Sequence, residues 1–457
     1  MAAAIVGVKS PIAALPLRPW HVLVLIACVV ALNSAYRVSR DRGYGTVRVT
    51  AIDVAFVLLI VVSAAVELHN GYYLHYGAIL NGLIEPIFWF LTYFAARTAI
   101  TDVASAVAAL KAFVLPIFIA APISFAQALR FAPVLDLTVS IVSGEGFASA
   151  VEDGRLLRAA GLVGGWTSFG AYVSGVFAAA LALLIMAKER GTRSDLYPFL
   201  VIGLCIASLL TTLTFSTTIA FVVILLGTLR RLGIRPGMLA ALCVAGFAAA
   251  AIFGALISER IGQQFDGRTR FVEWIPEWVP NTIGYRAYVW IGQTVPTILE
   301  RPVTGWGSKV YDATFGRSDA LDPDRTVPTG LVWTSPESQW FATLMTSGIV
   351  GLVPLVLLLI AIAVVLWRGL KNRGSSWIAT PVWWLFLANV AIGFTAISFT
   401  NKGLPGAFWP LVGIVAALSI PRRSNTDPES QPLPSRPRNA SVMAAQTRIA
   451  SHRQSTD

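Results

Sequence analysis

The chain has 457 residues, 56% of them hydrophobic and 13% charged, with a formal net charge of +11. Soluble domains carry roughly 25% charged residues, so this composition excludes an ordinary soluble enzyme and points to a polytopic membrane protein. The positive balance asks for no nucleic acid, because Lys and Arg collect in the cytoplasmic loops of membrane proteins.

Apolar runs of spanning length follow one another at about 20–36, 51–67, 78–96, 107–129, 161–187, 196–213, 216–229, 237–257, 337–367, 379–399 and 404–420. The expected fold class is therefore all-α: an integral membrane bundle of about eleven transmembrane helices, within a range of ten to twelve. The first run is followed by "YRVSRDRG" with no small-residue cleavage site, which argues against a signal peptide. Loops 37–50, 97–111, 188–195, 230–236 and 368–378 carry fifteen Lys and Arg between them; the short loops that alternate with them carry four. The positive-inside tendency puts the first set in the cytoplasm and the long loop 258–336 outside. Four parts follow: a bundle over 1–257, the extracytoplasmic loop 258–336 with short interfacial helices, further spans over 337–420, and a cytoplasmic tail, 421–457. The tail is rich in Pro, Ser and Arg and has few large apolar residues, so it is expected to be disordered.

Cys28, Cys205 and Cys243 all fall in apolar runs, with neither disulfide nor metal spacing. None of His21, His69, His75 and His452 lies in the large loop, and no GxxxxGK[ST], HExxH or CxxC is present. Neither a metal nor any other cofactor is expected. The acidic pair Asp322 and Asp324 reads as a Pro-rich turn. Glu85 is an ionisable residue inside a span; a functional and a structural role stay equally open. "ELHNGYYLHYG" (67–77) reads as an aromatic anchor at the interface.

The outer loop carries the polar weight. "RFVEWIPEWVPNTIG" (270–284) puts Trp274 and Trp278 four apart on an expected interfacial segment. Arg286 and Trp290 follow at i and i+4, neighbours on a short helix that Pro296 ends or kinks. In "RPVTGWG" (301–307), Arg301 precedes Gly305 and Gly307, which permit a tight turn or close backbone approach. "TSPE" (334–337) has the letters of a capping box, with Thr334 or Ser335 as cap and Glu337 in the first helical turn. Arg155 and Arg158 stand just outside the fifth span, whose start is rich in Gly. Arginines at an outer interface run against the positive-inside tendency. Either lipid phosphates and the loop's own acids answer them, or a diphosphate on a lipid-linked substrate does.

The order Arg-x-x-Gly before a span, a large outer loop with R-x-x-x-W and then P-x-x-G-x-G, and a polar residue eleven positions before the Gly of "GIVGL" resembles the O-antigen ligase and polymerase superfamily of bacterial surface-polysaccharide assembly. The resemblance covers about 155–355. It implies a bundle related to the lipid-dependent (GT-C) glycosyltransferases, located in the bacterial cytoplasmic (inner) membrane. It also implies transfer of a glycan from undecaprenyl diphosphate to an acceptor hydroxyl, with a flippase and a chain-length regulator as possible partners. Ligases of this kind have His-Asn where this chain has Glu337-Ser338. They have Ser-Arg near the start of a span where it has Ser216-Thr217. These departures favour a polymerase of O-antigen, exopolysaccharide or capsule repeats over a ligase. Within that reading, Glu337 is the expected general base and Arg286 the first cation for the leaving diphosphate. Arg158 and Arg301 come second and Arg155 third. A reading of another class is a lipid-linked glycan flippase or transporter. It expects internal repeats, which this sequence does not show.

Overall fold

In a bilayer every backbone N–H and C=O needs an internal partner, so long apolar runs fold as helices. The protein is seen here as a computed structural model. It describes residues 19–42, 49–70, 76–142, 145–152, 158–191, 196–233, 251, 254–265, 276, 278–308, 310, 331, 335–399 and 403–419. All regular elements among them are helical. Arg155, Trp274, Asp322, Asp324, Thr334, most of the expected span 237–257 and the tail from Pro421 lie outside the described residues.

Chain order runs α1 (Pro19–Arg42), α2 (Ala51–His69), α3 (Tyr76–Ala99), α4 (Val103–Val114), α5 (Ile117–Ala128), α6 (Ala132–Ile141) and α7 (Glu145–Glu152). Next come α8 (Trp166–Glu189), α9 (Leu196–Thr212), α10 (Phe215–Leu232) and α11 (Gly254–Gly262). Then α12 (Asn281–Val289) passes through a π turn (Trp290–Thr294) into α13 (Val295–Glu300). The chain closes with α14 (Gln339–Lys371), α15 (Ser376–Ile392) and α16 (Gly403–Ser419). Among the described residues, five stretches are by themselves long and apolar enough to cross a membrane: α2, α4 with α5, α8, α10 and α14.

Two expected spans change shape. The run 107–129 is not one helix, because Pro116 cannot donate the hydrogen bond that would continue α4 and the chain turns there into α5. The run expected from 161 becomes helical only at Trp166. Gly161 and Gly164 have φ of +53° and +96°, outside the right-handed helical region.

Helix α8 is the hub. It is apolar on every side, and its central stretch is enclosed by α4, α9, α10, α15 and α16. Small residues let its neighbours close in: a Cβ on Gly175 would meet Ala407 of α16, and one on Gly170 would meet Thr217 of α10. At another corner, Thr50 and Asp53 form a capping box that starts α2, and buried Arg97 of α3 pairs with Asp53. Glu85 sits half-buried on α3, one turn before Phe88, whose ring meets His21 at 4.3 Å.

The feature that positions the site is a break in α14. Gly348 has φ +59° and ψ −162°, a conformation essentially confined to glycine. The freed backbone groups are taken up by the turn 302–307. Trp306 and Gly307 N–H donate to the Met345 and Thr346 carbonyls, both at 2.8 Å. Ile349 and Val350 N–H donate to the Pro302 and Val303 carbonyls, at 2.9 and 3.1 Å. A Cβ on Gly305 would lie 2.7 Å from the backbone nitrogens of Ser347 and Gly348, so side-chain-free residues are needed on both partners. The Trp306 indole donates to Thr297 O at 2.9 Å, and the Ser308 N–H donates to the Glu67 carboxylate at the end of α2, at 2.8 Å. The glycines of "RPVTGWG" and the glycine of "GIVGL" therefore form one joint.

Candidate active site

The short first half of α14, from Gln339 to the break, aims its start at α12. Trp290 grips the segment just before it: its indole N–H donates to Pro336 O at 2.6 Å, and its ring meets Phe341 edge-on at 5.5 Å. One turn earlier on the same face, Arg286 places Nη2 3.6 Å from Glu337 Oε2. Sequence spacing of four thus becomes a two-point clasp on Pro336 and Glu337. The π turn that begins at Trp290 widens the helix there, a local feature frequent at functional sites.

Glu337 does not occupy a capping box. The helix begins at Gln339 with Ser338 as its cap residue and no side-chain cap bond, so "TSPE" lies ahead of the helix rather than inside it. Ser338 is engaged elsewhere: its hydroxyl donates to Gly393 O at 3.2 Å, and the Gln339 N–H donates to the same carbonyl at 2.8 Å. That tie to the end of α15 sets where the helix begins. Glu337 itself has φ +51°, left-handed and costly for a residue with a Cβ. Strain of this kind persists only where the surroundings impose it, and the Trp290 clasp and the Ser338 tie stand on either side.

The Glu337 side chain keeps 38% of its surface exposed. Desolvation by the surrounding protein pushes its pKa above the ordinary carboxylate value; Arg286 and then Arg158 oppose the rise. Tyr285, next to Arg286, is pushed up to about 12 by burial first and by the Glu337 charge second.

Arg158 reaches the same region from the start of the Gly-rich step. Its Nε donates to Thr212 O at 3.1 Å and its Nη2 to Thr214 Oγ1 at 2.8 Å, and it lies 4.5 Å over the Trp166 ring. Burial lowers its pKa to about 9; Arg260 adds to the drop and Glu337 resists it. It remains a cation at neutral pH. Thr212 and Thr214 immediately precede α10, the helix start where the resemblance expects an arginine and the sequence has Thr217. A guanidinium is present there, supplied from a different segment.

Arg301 stacks 4.1 Å over Trp306, and Gly305 and Gly307 build the joint at Gly348. These three belong to the frame under the site. Arg260 on α11 was not anticipated. It stands in the expected outer loop next to an apolar run, and the reasoning applied to Arg155 and Arg158 singles it out too. Thr214 and Trp166 carry no such signal; only folding shows what they hold.

Beside this cluster lies a small cleft between α8, α10 and the end of α15, with room for about one water molecule. Its rim residues sit next to site residues: Thr167 follows Trp166, Thr217 is one turn from Thr214, and Ile392 precedes Gly393. Three of its five hydroxyls are tied to backbone carbonyls. Ser174 donates to Gly170 O, Thr217 to Thr214 O and Ser398 to Asn389 O, at 2.8, 2.9 and 3.0 Å. The cleft presents mostly methyl and methylene surface in spite of its polar composition.

Two cations, a carboxylate with a raised pKa and an adjoining apolar cleft suit transfer from an amphipathic phosphate ester. Residues 159–356 match the O-antigen ligase family model, Wzy_C. That segment is thus similar to the O-antigen ligase and polymerase superfamily. The matched segment runs from α8 through the broken α14, and so includes Arg286, Glu337, the joint at Gly348 and two of the three walls of the cleft. Arg158 lies one residue before it. No curated protein matches the chain. An O-antigen ligase-like domain together with apolar helices makes this a membrane protein of surface-polysaccharide biosynthesis.

Proposed function

We propose that the protein polymerises surface-polysaccharide repeats by transferring glycan from undecaprenyl diphosphate to an acceptor sugar hydroxyl at the outer face of the cytoplasmic membrane. The observation that carries this reading is the opposed pair Arg286 and Glu337, 3.6 Å apart with Arg158 close by. The acceptor oxygen attacks the anomeric carbon while Glu337 takes its proton. The bond from that carbon to the diphosphate oxygen breaks, and the diphosphate leaves with the electron pair. Arg286 and Arg158 neutralise the charge that develops on it, in a site partly shielded from water. Arg301 supports them through Trp306, and Arg155 belongs to the same outer segment as Arg158. The first isoprenyl units of the carrier lie against the cleft between α8, α10 and α15. About eleven spans, a GT-C-related bundle and an extracytoplasmic loop 258–336 complete the architecture.

An acid at 337 in place of His-Asn favours polymerisation. The family description favours the second reading, ligation to a different acceptor. The deciding assay gives purified protein a lipid-linked repeat without nucleotide. Longer lipid-linked chains are the expected product; transfer only to an added non-lipid-linked acceptor would replace polymerase with ligase. In that assay Glu337→Gln should lower turnover by roughly 10²–10⁴-fold with protein accumulation retained. Arg286→Lys should be nearly as damaging as Arg286→Ala, because a point charge does not replace a planar fork. Full activity in either Glu337→Gln or Arg286→Lys would remove that residue from the chemistry.

A further inference from the structure

We infer that Arg260 is a third guanidinium of this site, and that Arg158, Arg260 and Arg286 together seat a diphosphate ester in preference to a monophosphate. The inference rests on the transfer reading only for the identity of the ester.

Neither Arg158 nor Arg260 has a carboxylate within ion-pair distance among the described residues. The Arg158 donors go to Thr212 and Thr214. The Arg260 donors go to neutral amides: Nη1 lies 3.2 Å from Gln263 Oε1, and Nη1 and Nη2 lie 3.1 and 3.3 Å from the Gln264 amide in the orientation that satisfies both groups. Arg260 nonetheless acts electrostatically on Arg158, so two like charges share a region. The Nε–H groups of Arg260 and Arg286 are both buried without an acceptor. A buried donor left unmade is costly, and guanidinium donors are matched best by phosphoryl oxygens.

The arrangement is braced rather than accidental. In that same orientation Gln264 also donates to Thr282 Oγ1 at 2.7 Å, and its backbone carbonyl accepts the Asn281 N–H at 2.6 Å. Thr282 O in turn accepts from Arg286 Nη1 at 3.2 Å. The ends of α11 and α12 are thereby locked together, and with them Arg260 and Arg286. Among the described residues, Glu337 lies 3.6 Å from Arg286 and also acts on Arg158, so three guanidinia outnumber that carboxylate. A diphosphate presents two phosphoryl groups to these guanidinium forks, where a monophosphate presents one.

Binding to the detergent-purified full chain, with chelator present, tests this by titration calorimetry using inorganic phosphate, inorganic pyrophosphate and geranyl diphosphate. The parent should prefer pyrophosphate to phosphate by about tenfold or more, and Arg260→Gln should lose most of that preference. Arg260→Lys keeps the charge and guards against a folding defect; it should fall between the two. Geranyl diphosphate should show the same dependence on Arg260, and a loss confined to free pyrophosphate would overturn the assignment to a lipid ester. Pyrophosphate binding unchanged in Arg260→Gln overturns the proposal whatever the transfer activity. Binding that depends on Arg260 in a protein that transfers no glycan would leave this site standing and remove the transfer reading instead.

Discussion

At the scale of single residues, Glu337 shows how position and environment pull apart. Its letters suggested a helix cap, whose dipole would have lowered the pKa. In the fold it stands before the helix, left-handed, and desolvation raises the pKa instead. A base must be ionised to work. Raising its pKa means that protonation switches it off at a higher pH, so activity is lost as pH falls through that raised value and recovers above it. The acid limb of kcat/KM should therefore lie above the ordinary Glu value of about 4.3, and it should disappear in the residual activity of Glu337→Gln. A limb at or below that value, or one that survives in the Gln variant, would count against Glu337 as the base. The link between Arg286 and Trp290 was legible because spacing of four on a helix is local geometry. The partners of Arg158 were not, since Thr212 and Thr214 are more than fifty positions away.

At the scale of elements, the broken helix and its inserted turn are one device. The sequence shows glycines in "RPVTGWG" and in "GIVGL", and says that each can turn or be approached closely. That the two meet follows from backbone satisfaction: breaking a helix exposes donors and acceptors, and the turn supplies the matching set. The cleft beside them also belongs to this scale, since three helices and no single motif build it. If the first isoprenyl units of the donor lie against it, Ala171→Phe should raise KM for a long-chain polyprenyl donor by about tenfold, the loss of a few buried methylenes. A donor carrying the same glycan on a methyl diphosphate, with no isoprenyl unit, should stay within about twofold. Equal losses on both donors would move the lipid path elsewhere.

At the scale of the whole molecule, sidedness governs every assignment, because an outer site meets lipid-linked glycan and an inner one meets nucleotides. The described cysteines, Cys28 and Cys205, are buried, so introduced thiols can report against a low background. Ser318→Cys should react with an impermeant thiol reagent in intact cells, and Arg373→Cys only after permeabilisation. The reverse pattern would place the candidate site on the cytoplasmic side and overturn the proposed chemistry. Apolar runs sufficed by themselves for an all-helical membrane chain, because hydropathy and helical period are read within one stretch of chain. Only tertiary structure decided that α8 is the enclosed hub, that a guanidinium from position 158 serves the start of α10, and that Arg260 joins Arg286 through Gln264 and Thr282. Those are contacts between elements far apart in sequence. Their free energy comes from packing and from pairing buried polar groups, and neither exists until the helices have come together.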